Sequence, residues 1–383
     1  MSTLQTICVS PAELLQFRGA WEQLVENALV PNVFFEPWML LPAIEHLRED
    51  DNLHFLLVHG PAVSNGDREL WGLFPLQVQT RCLHLPLRTL ALWQHRYCYL
   101  TAPLIERHHA EEVLDAFWRW FETNPLGCRI LDTNYLLADG PFHTAWADFL
   151  IGRCTLVLNE FPRGLQTRAA SYESYIETQL SKKRHHALSR SRRHLEQLGS
   201  LVSRQIDRVG DLELWMEKFL RLESSGWKGR QGTALASKPE DAQYFRELTN
   251  AAFRKGRATL LSLELNGNPI AMKHVLSADD GSFDFKIAYD EDYSKYSPGP
   301  LLELDHLRMF HSESRSNWID SGASARHPLF DLVSNERRLI RRTLISNGSR
   351  RGDFYVSALP LMRWLKHKLA KPSPALAKVG AAA

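Results

Sequence analysis

The stretch from Ala258 to Tyr289 constrains the fold of this chain more than any other. Three β-type runs, Ala258–Leu265, Pro269–Ser277 and Ser282–Tyr289, are separated only by short turns that contain Asn266-Gly267 and Asp280-Gly281. These dipeptides supply the positive φ that two-residue hairpin turns demand, so the runs are expected as a consecutive antiparallel meander. Two amphipathic helices precede it. Asp211–Glu223 aligns Leu212, Trp215, Met216, Phe219 and Leu220 and exits at Gly226. The second opens at Pro239, aligns Tyr244, Phe245, Leu248, Ala251 and Ala252, and stops at Gly256. After a Tyr/Ser/Pro/Gly-rich loop, a helix from Pro300 to about Ser312 leads to a short strand, Trp318–Asp320. Helix, helix, three strands, helix, strand is an α+β order.

The 383 residues suit two domains, and the first half repeats the order loosely. Helical stretches at Pro11–Asn27 and Pro37–Arg48 precede Leu53–Val58, a loop with Asn65-Gly66, and Glu69–Val78. A helix at Ala110–Glu122 then leads into Cys128–Asp132, whose Arg129-Ile130-Leu131-Asp132 echoes Asn317-Trp318-Ile319-Asp320. The expected division is a first domain over 1–165, a second over 166–370 that includes a basic helix at 172–198, and a disordered Pro/Ala-rich tail over 371–383.

Composition narrows the class. Net charge is only +2, from 46 Lys and Arg against 44 Asp and Glu, so the whole chain is not a polyanion binder. The charge is local instead: six of the thirteen residues from Ser181 to Arg193 are Lys or Arg, and Arg337-Arg338, Arg341-Arg342 and Arg350-Arg351 form a second basic stretch. No apolar run approaches the ~18 residues of a membrane span. The five cysteines are odd in number and lack Cys-x-x-Cys spacing, which argues against a disulfide framework or a structural zinc site and favours a reducing, cytoplasmic setting. The histidines form no ligand set, so no metal is expected.

The α+β order resembles that of GNAT acyltransferases, and two such units joined by a basic helix resemble the Fem-type double-GNAT proteins. Ser181-Lys182-Lys183-Arg184-His185-His186-Ala187-Leu188-Ser189-Arg190, the run Phe219–Thr233, Lys286-Ile287-Ala288-Tyr289-Asp290, Tyr296-Ser297-Pro298-Gly299 and Asp320-Ser321-Gly322 resemble the CelD/BcsL group of that family, associated with cellulose and other exopolysaccharide synthesis. The resemblance covers roughly Tyr172–Trp364. It implies acyl-CoA as donor substrate and a sugar, lipid-linked or amino acceptor, with peripheral association with envelope-synthesis machinery. Two alternatives stand beside it: a Fem-type transferase using aminoacyl-tRNA, and a non-catalytic module that binds glycan or a partner on a GNAT scaffold. One departure is plain. Where GNAT proteins carry Gln/Arg-x-x-Gly-x-Gly/Ala for the CoA pyrophosphate, this chain has Lys295-Tyr296-Ser297-Pro298-Gly299-Pro300, with two prolines that donate no N–H.

Acyl transfer needs an acceptor that loses a proton, a stabilised oxyanion and a donor held in line. The expected donor contacts are Ser297, Gly299 and Leu301 at a helix N-terminus, with Lys295 and Tyr296 alongside. Glu223 is the candidate general base, Lys286 the cation for developing charge, and His274 a further proton acceptor. Asp284 and Lys286 are expected to share one face of their strand. Trp227, Lys228 and Arg230 offer a stacking ring and two cations to the acceptor, and Lys182 and Arg184 offer charge to an anionic ligand. Each has an ordinary structural reading too: a solvated strand face, a packed histidine, a capped helix end, a solvated basic helix.

Overall fold

The computed structural model describes residues 4–62, 68–123, 126–323 and 332–369. The Asn65-Gly66 loop and the tail from 371 lie outside them. Among the described residues, thirteen strands form one continuous sheet: β1 (Gln5–Val9), β2 (Leu53–Ala62), β3 (Arg68–Gln79), β4 (Thr89–Leu92), β5 (Leu104–Ile105), β6 (Ile130–Leu137), β7 (Thr155–Thr167), β8 (Leu201–Gln205), β9 (Ala258–Leu265), β10 (Asn268–Ser277), β11 (Gly281–Tyr289), β12 (Trp318–Asp320) and β13 (Arg337–Ser346). Their order is β1-β2-β3-β4-β6-β13-β7-β12-β11-β10-β9-β8, with β5 set on β3. The meander expected between Ala258 and Tyr289 is β9-β10-β11, turned at Asn266 (φ 51) and Gly267 (φ 80).

Two strand pairs run parallel, β4 with β6 and β11 with β12, one in each half and each bridged by a helix. The echo between Ile130-Leu131-Asp132 and Trp318-Ile319-Asp320 therefore marks equivalent strands. The expected division does not survive intact, because β7 runs through residue 165 and pairs with β13 along most of its length and with β12 at its end. β13, from near the C-terminus, sits between β6 and β7 of the first half. The C-terminal helix Arg350–Leu369 also packs there, its Val356 and Leu359 against Ile130 and Leu344. Backbone pairing thus welds the halves together.

The second basic stretch has a structural use. Arg342 forms a bidentate pair with buried Asp132 (2.9 and 2.6 Å), Arg338 reaches Asp320 at 3.2 Å, and Arg341 reaches Glu160 at 2.8 Å. The helix expected over 172–198 is two helices, Tyr172–Gln179 and Lys182–Leu198. Leu180 breaks them with extended backbone, and the Ser181 side chain caps the second by accepting from the Arg184 N–H. That second helix buries only Leu188 and Leu195, while Ala187 and Leu198 face solvent.

Candidate active site

The site grows from the end of helix Val209–Ser225. Glu223, on its last turn, is 3% exposed. One carboxylate oxygen accepts from Lys228 Nζ (2.8 Å) and the other from the Leu235 N–H (2.8 Å). Lys228 lies on a single helical turn, Trp227–Arg230, which folds back so closely that a Cβ on Gly229 would stand 1.8 Å from the Ser224 carbonyl oxygen. Its ammonium also donates to the Ile287 carbonyl of β11 at 2.9 Å. Glu223 thus acts as a clamp, with a partner on each carboxylate oxygen. Arg230 is spent on Glu291 at 2.7 Å, and the same carboxylate accepts from the Trp227 N–H.

Two cavities meet at Lys228 and Ile287, which line both. The larger, of about 450 Å³, is walled by Leu222, Trp227 and Tyr289 and by Ser297, Pro298 and Gly299 at the start of helix Pro298–Ser312. The smaller, of about 160 Å³, opens where β11 and β12 diverge: they pair only from Gly281 to Phe283, and beyond that point the gap is lined by Lys273, Asp284, Lys286, Tyr99 and Ser321-Gly322. The sequence-expected Glu223, Trp227, Lys228, Ser297 and Gly299 therefore come together in one cleft, with Asp284 and Lys286 in the adjoining gap.

A β-bulge reshapes the strand that carries them. Lys273 faces Ile287 and His274 faces Lys286, but Val275 faces Asp284, which leaves Phe285 as the extra residue. The bulge turns Asp284 and Lys286 to opposite faces of the sheet, against the expected shared face. Asp284 points toward helix Pro298–Ser312 and pairs with Lys273 Nζ at 2.8 Å; Lys273 also contacts buried Glu303. Burial lifts the Asp284 carboxyl to about 7, despite the opposing pull of Lys273. For Lys273, burial acts to lower the pKa, but Asp284 and Glu303 together hold it above the ordinary lysine value. Asp284, Glu303 and His306 have metal-ligand spacing that sequence reading missed, since Asp284 lies on β11 and the other two lie one turn apart on helix Pro298–Ser312. The Lys273 ammonium already supplies the cation between the two carboxylates.

Lys286 lies on the other face, its ammonium 4.3 Å from the centre of the Tyr97 ring, and burial lowers its pKa to about 8. Tyr97 and Tyr99 belong to the first half and had no signal in the sequence. They reach the site because Arg96 pairs with Asp241 (3.0 Å), Tyr97 stacks on Tyr244 (5.5 Å between ring centres), and the Tyr99 hydroxyl donates to the Phe285 carbonyl (2.9 Å). Gly322 lies so near Tyr99 that a Cβ would meet its ring at 2.4 Å. Asp320 holds that glycine by accepting its N–H at 2.8 Å.

Several expected residues are placed elsewhere. His274 is fully buried among Trp215, Phe245 and Phe285, near the Thr249 hydroxyl, and burial drives its pKa down to about 3. It is a neutral core histidine with no opening toward the gap. The Ser297 N–H donates to the Ser294 carbonyl and the Leu301 N–H to the Ser297 carbonyl. With Pro298 and Pro300 lacking N–H groups, Gly299 is the one amide left for an anion at that helix end. Lys295 is exposed, its ammonium 4.9 Å from the centre of the Tyr296 ring. Lys182 and Arg184 begin the basic helix, but its other end, through Arg192 and His194, meets helix Pro298–Ser312 and Tyr296. Neither Lys182 nor Arg184 lines either cavity.

Residues 182–327 match the family model described as an acetyltransferase (GNAT) domain. Among solved structures, the chain is similar to FemX (10% identity, TM-score 0.56), with 94% of this chain and 100% of that chain covered. It is also similar to a conserved protein of unknown function from Bacteroides thetaiotaomicron (9% identity, TM-score 0.52; 90% and 100% covered). A third is the C-terminal domain of a protein from Agrobacterium fabrum described as a lysylphosphatidylglycerol synthetase (12% identity, TM-score 0.52; 92% and 96% covered). No curated protein sequence matches. The fold is a Fem-type tandem GNAT, α+β in class, as expected.

Proposed function

We infer that this GNAT-type acyltransferase moves an acyl group from a thioester donor in the larger cleft to an amine or hydroxyl that enters the gap between β11 and β12. The observation that carries this reading is the place of Lys228, whose ammonium stands where the two cavities meet. A donor carbonyl at that junction has a fixed cation for its oxyanion, held in place by Glu223 and the Ile287 carbonyl. Asp284 is the carboxylate lining the gap, and a group titrating near 7 suits proton removal at neutral pH. The largely apolar wall of the cleft suits an acyl chain and its thioester arm.

The resemblance to the CelD/BcsL group supports an acceptor from polysaccharide or envelope synthesis and acyl-CoA as donor. One observation favours a second reading, an aminoacyl ester donor of the tRNA kind. A single amide at Gly299 is a poor cradle for a pyrophosphate, and a 3′-terminal aminoacyl ester brings none to that point. Thiol release from a panel of acyl-CoAs distinguishes the two. Under the first reading one acyl-CoA is turned over, and Lys228→Met slows it by about 10²–10³-fold, the usual loss for one oxyanion donor. Lack of turnover and of binding across the panel, with tRNA co-purifying instead, overturns the thioester donor.

A further inference from the structure

Lys286 stands where an acceptor's amine would have to stand. It lines the 160 Å³ gap together with Lys228, and Lys228 also lines the donor cleft. Its charged neighbours are already engaged. Glu223 is held by Lys228 and the Leu235 N–H, and Asp241 by Arg96. Across the strand pair it faces neutral His274, and its ammonium has the Tyr97 ring as its close contact. Among the described residues no carboxylate within ion-pairing distance compensates it. The Lys228 ammonium nearby favours the neutral amine further.

We propose that Lys286 is itself acylated by the donor in the adjoining cleft, making this side chain an internal acceptor of the enzyme. The chemistry balances without another reactant. The neutral Nζ attacks the thioester carbonyl carbon, and the oxyanion forms beside Lys228. The C–S bond then breaks as its electron pair leaves on sulfur. The proton lost from nitrogen passes to the thiolate, giving an amide and a free thiol. An amide does not pass its acyl group on, so the product is a stable modification. It removes a positive charge from the gap and fills part of its volume, and so hinders entry of the external acceptor.

This inference rests on the acyltransferase reading, and two donors separate their failures. The full-length protein is incubated with acetyl-CoA or with the N-acetylcysteamine thioester of acetate, which carries no nucleotide. Peptide mass mapping then follows each lysine with time and pH. With either donor, an acetyl group is expected on Lys286 at least about tenfold faster than on exposed Lys182 or Lys183, because an amine with a lowered pKa holds a larger neutral, nucleophilic fraction. The rate should climb through pH 8 and level off above it, and Lys286→Arg should abolish that peptide's shift while the melting temperature holds. Selective labelling by the small thioester alone supports the internal acceptor and overturns CoA as the donor. Acetylation spread over exposed lysines with Lys286 no faster, or no labelling of Lys286 by either donor, overturns the proposal. The wild-type peptide map carries this result even if the variant folds poorly.

Discussion

The two halves of the molecule use the same parallel strand pair to opposite ends. In both, the third residue of the pair's second strand is a fully buried aspartate held by arginines from β7 or β13, Asp132 by Arg342 and Asp320 by Arg163 and Arg338. In the first half, β13 runs beside β6 from Ile130 to Leu137. In the second, β12 is three residues long, and the chain turns away at Ser321-Gly322 and leaves β11 open. The helices that follow the first strands differ as well. Ala110–Glu122 has Glu111 and Glu112 in its first turn, which disfavours an anion there. Pro298–Ser312 has no acid in its first turn and lines the cleft. The halves differ in how long the second strand of the pair is and in where the carboxylates fall.

That contrast can be broken by mutation. The largest effect is expected at Asp284: replacing a positioned base typically costs ~10²–10⁴-fold in rate, so Asp284→Asn should remove most turnover from a folded protein. The wild-type rate should rise through pH 7 and the variant should lose that limb. Stability supplies an independent check. Asp284 binds its proton more tightly in the folded state, so its contribution is greatest below the ordinary carboxylate pKa and fades as pH rises to about 7. Melting temperature followed across that window should fall less in Asp284→Asn than in the wild type. His274 and His95 act in the opposite sense, since burial holds both neutral with pKa values near 3. Their contributions are full above 6.5 and are lost as pH falls toward 3.

Next in size is the first half's own aspartate. Arg342→Ala strands buried Asp132 without its bidentate partner, and breaking such a pair costs on the order of 3 kcal/mol. Denaturant titration should show that loss while donor binding to the remaining folded protein stays near normal. An equal loss of binding would mean that the first half does more than brace the site. Gly229→Ala tests the clamp. Its methyl group meets the Ser224 carbonyl, so the turn carrying Lys228 must shift, and turnover should fall more than melting temperature does. The smallest effect is expected from Lys182→Glu with Lys183→Glu. Both side chains are exposed and line neither cavity, and exposed charges are screened over ~8 Å, so donor affinity should change by less than about threefold at physiological salt.

Much was decided locally. The Asn-Gly and Asp-Gly turns, the stripes of the two helices before them, and Ile130-Leu131-Asp132 and Trp318-Ile319-Asp320 are each written in a short window of sequence, and each element they specify is present. The short loop after Glu223 also announced itself, since neither flanking element needs two glycines, a tryptophan and two cations. Strands β7 and β13 did not: β13 reads as a run of arginines, and its partners Asp132, Glu160 and Asp320 lie more than fifteen residues away in the chain. Tertiary pairing alone could assign those charges. The same holds for the bulge at Phe285, which no local preference marks and which separates Asp284 from Lys286. It holds again for Tyr97 and Tyr99, brought to the gap by contacts across more than a hundred residues. Periodicity reports which face a residue would take in a regular strand. Whether the strand stays regular, and which distant groups close the cavity beside it, depends on packing that no short window of sequence contains.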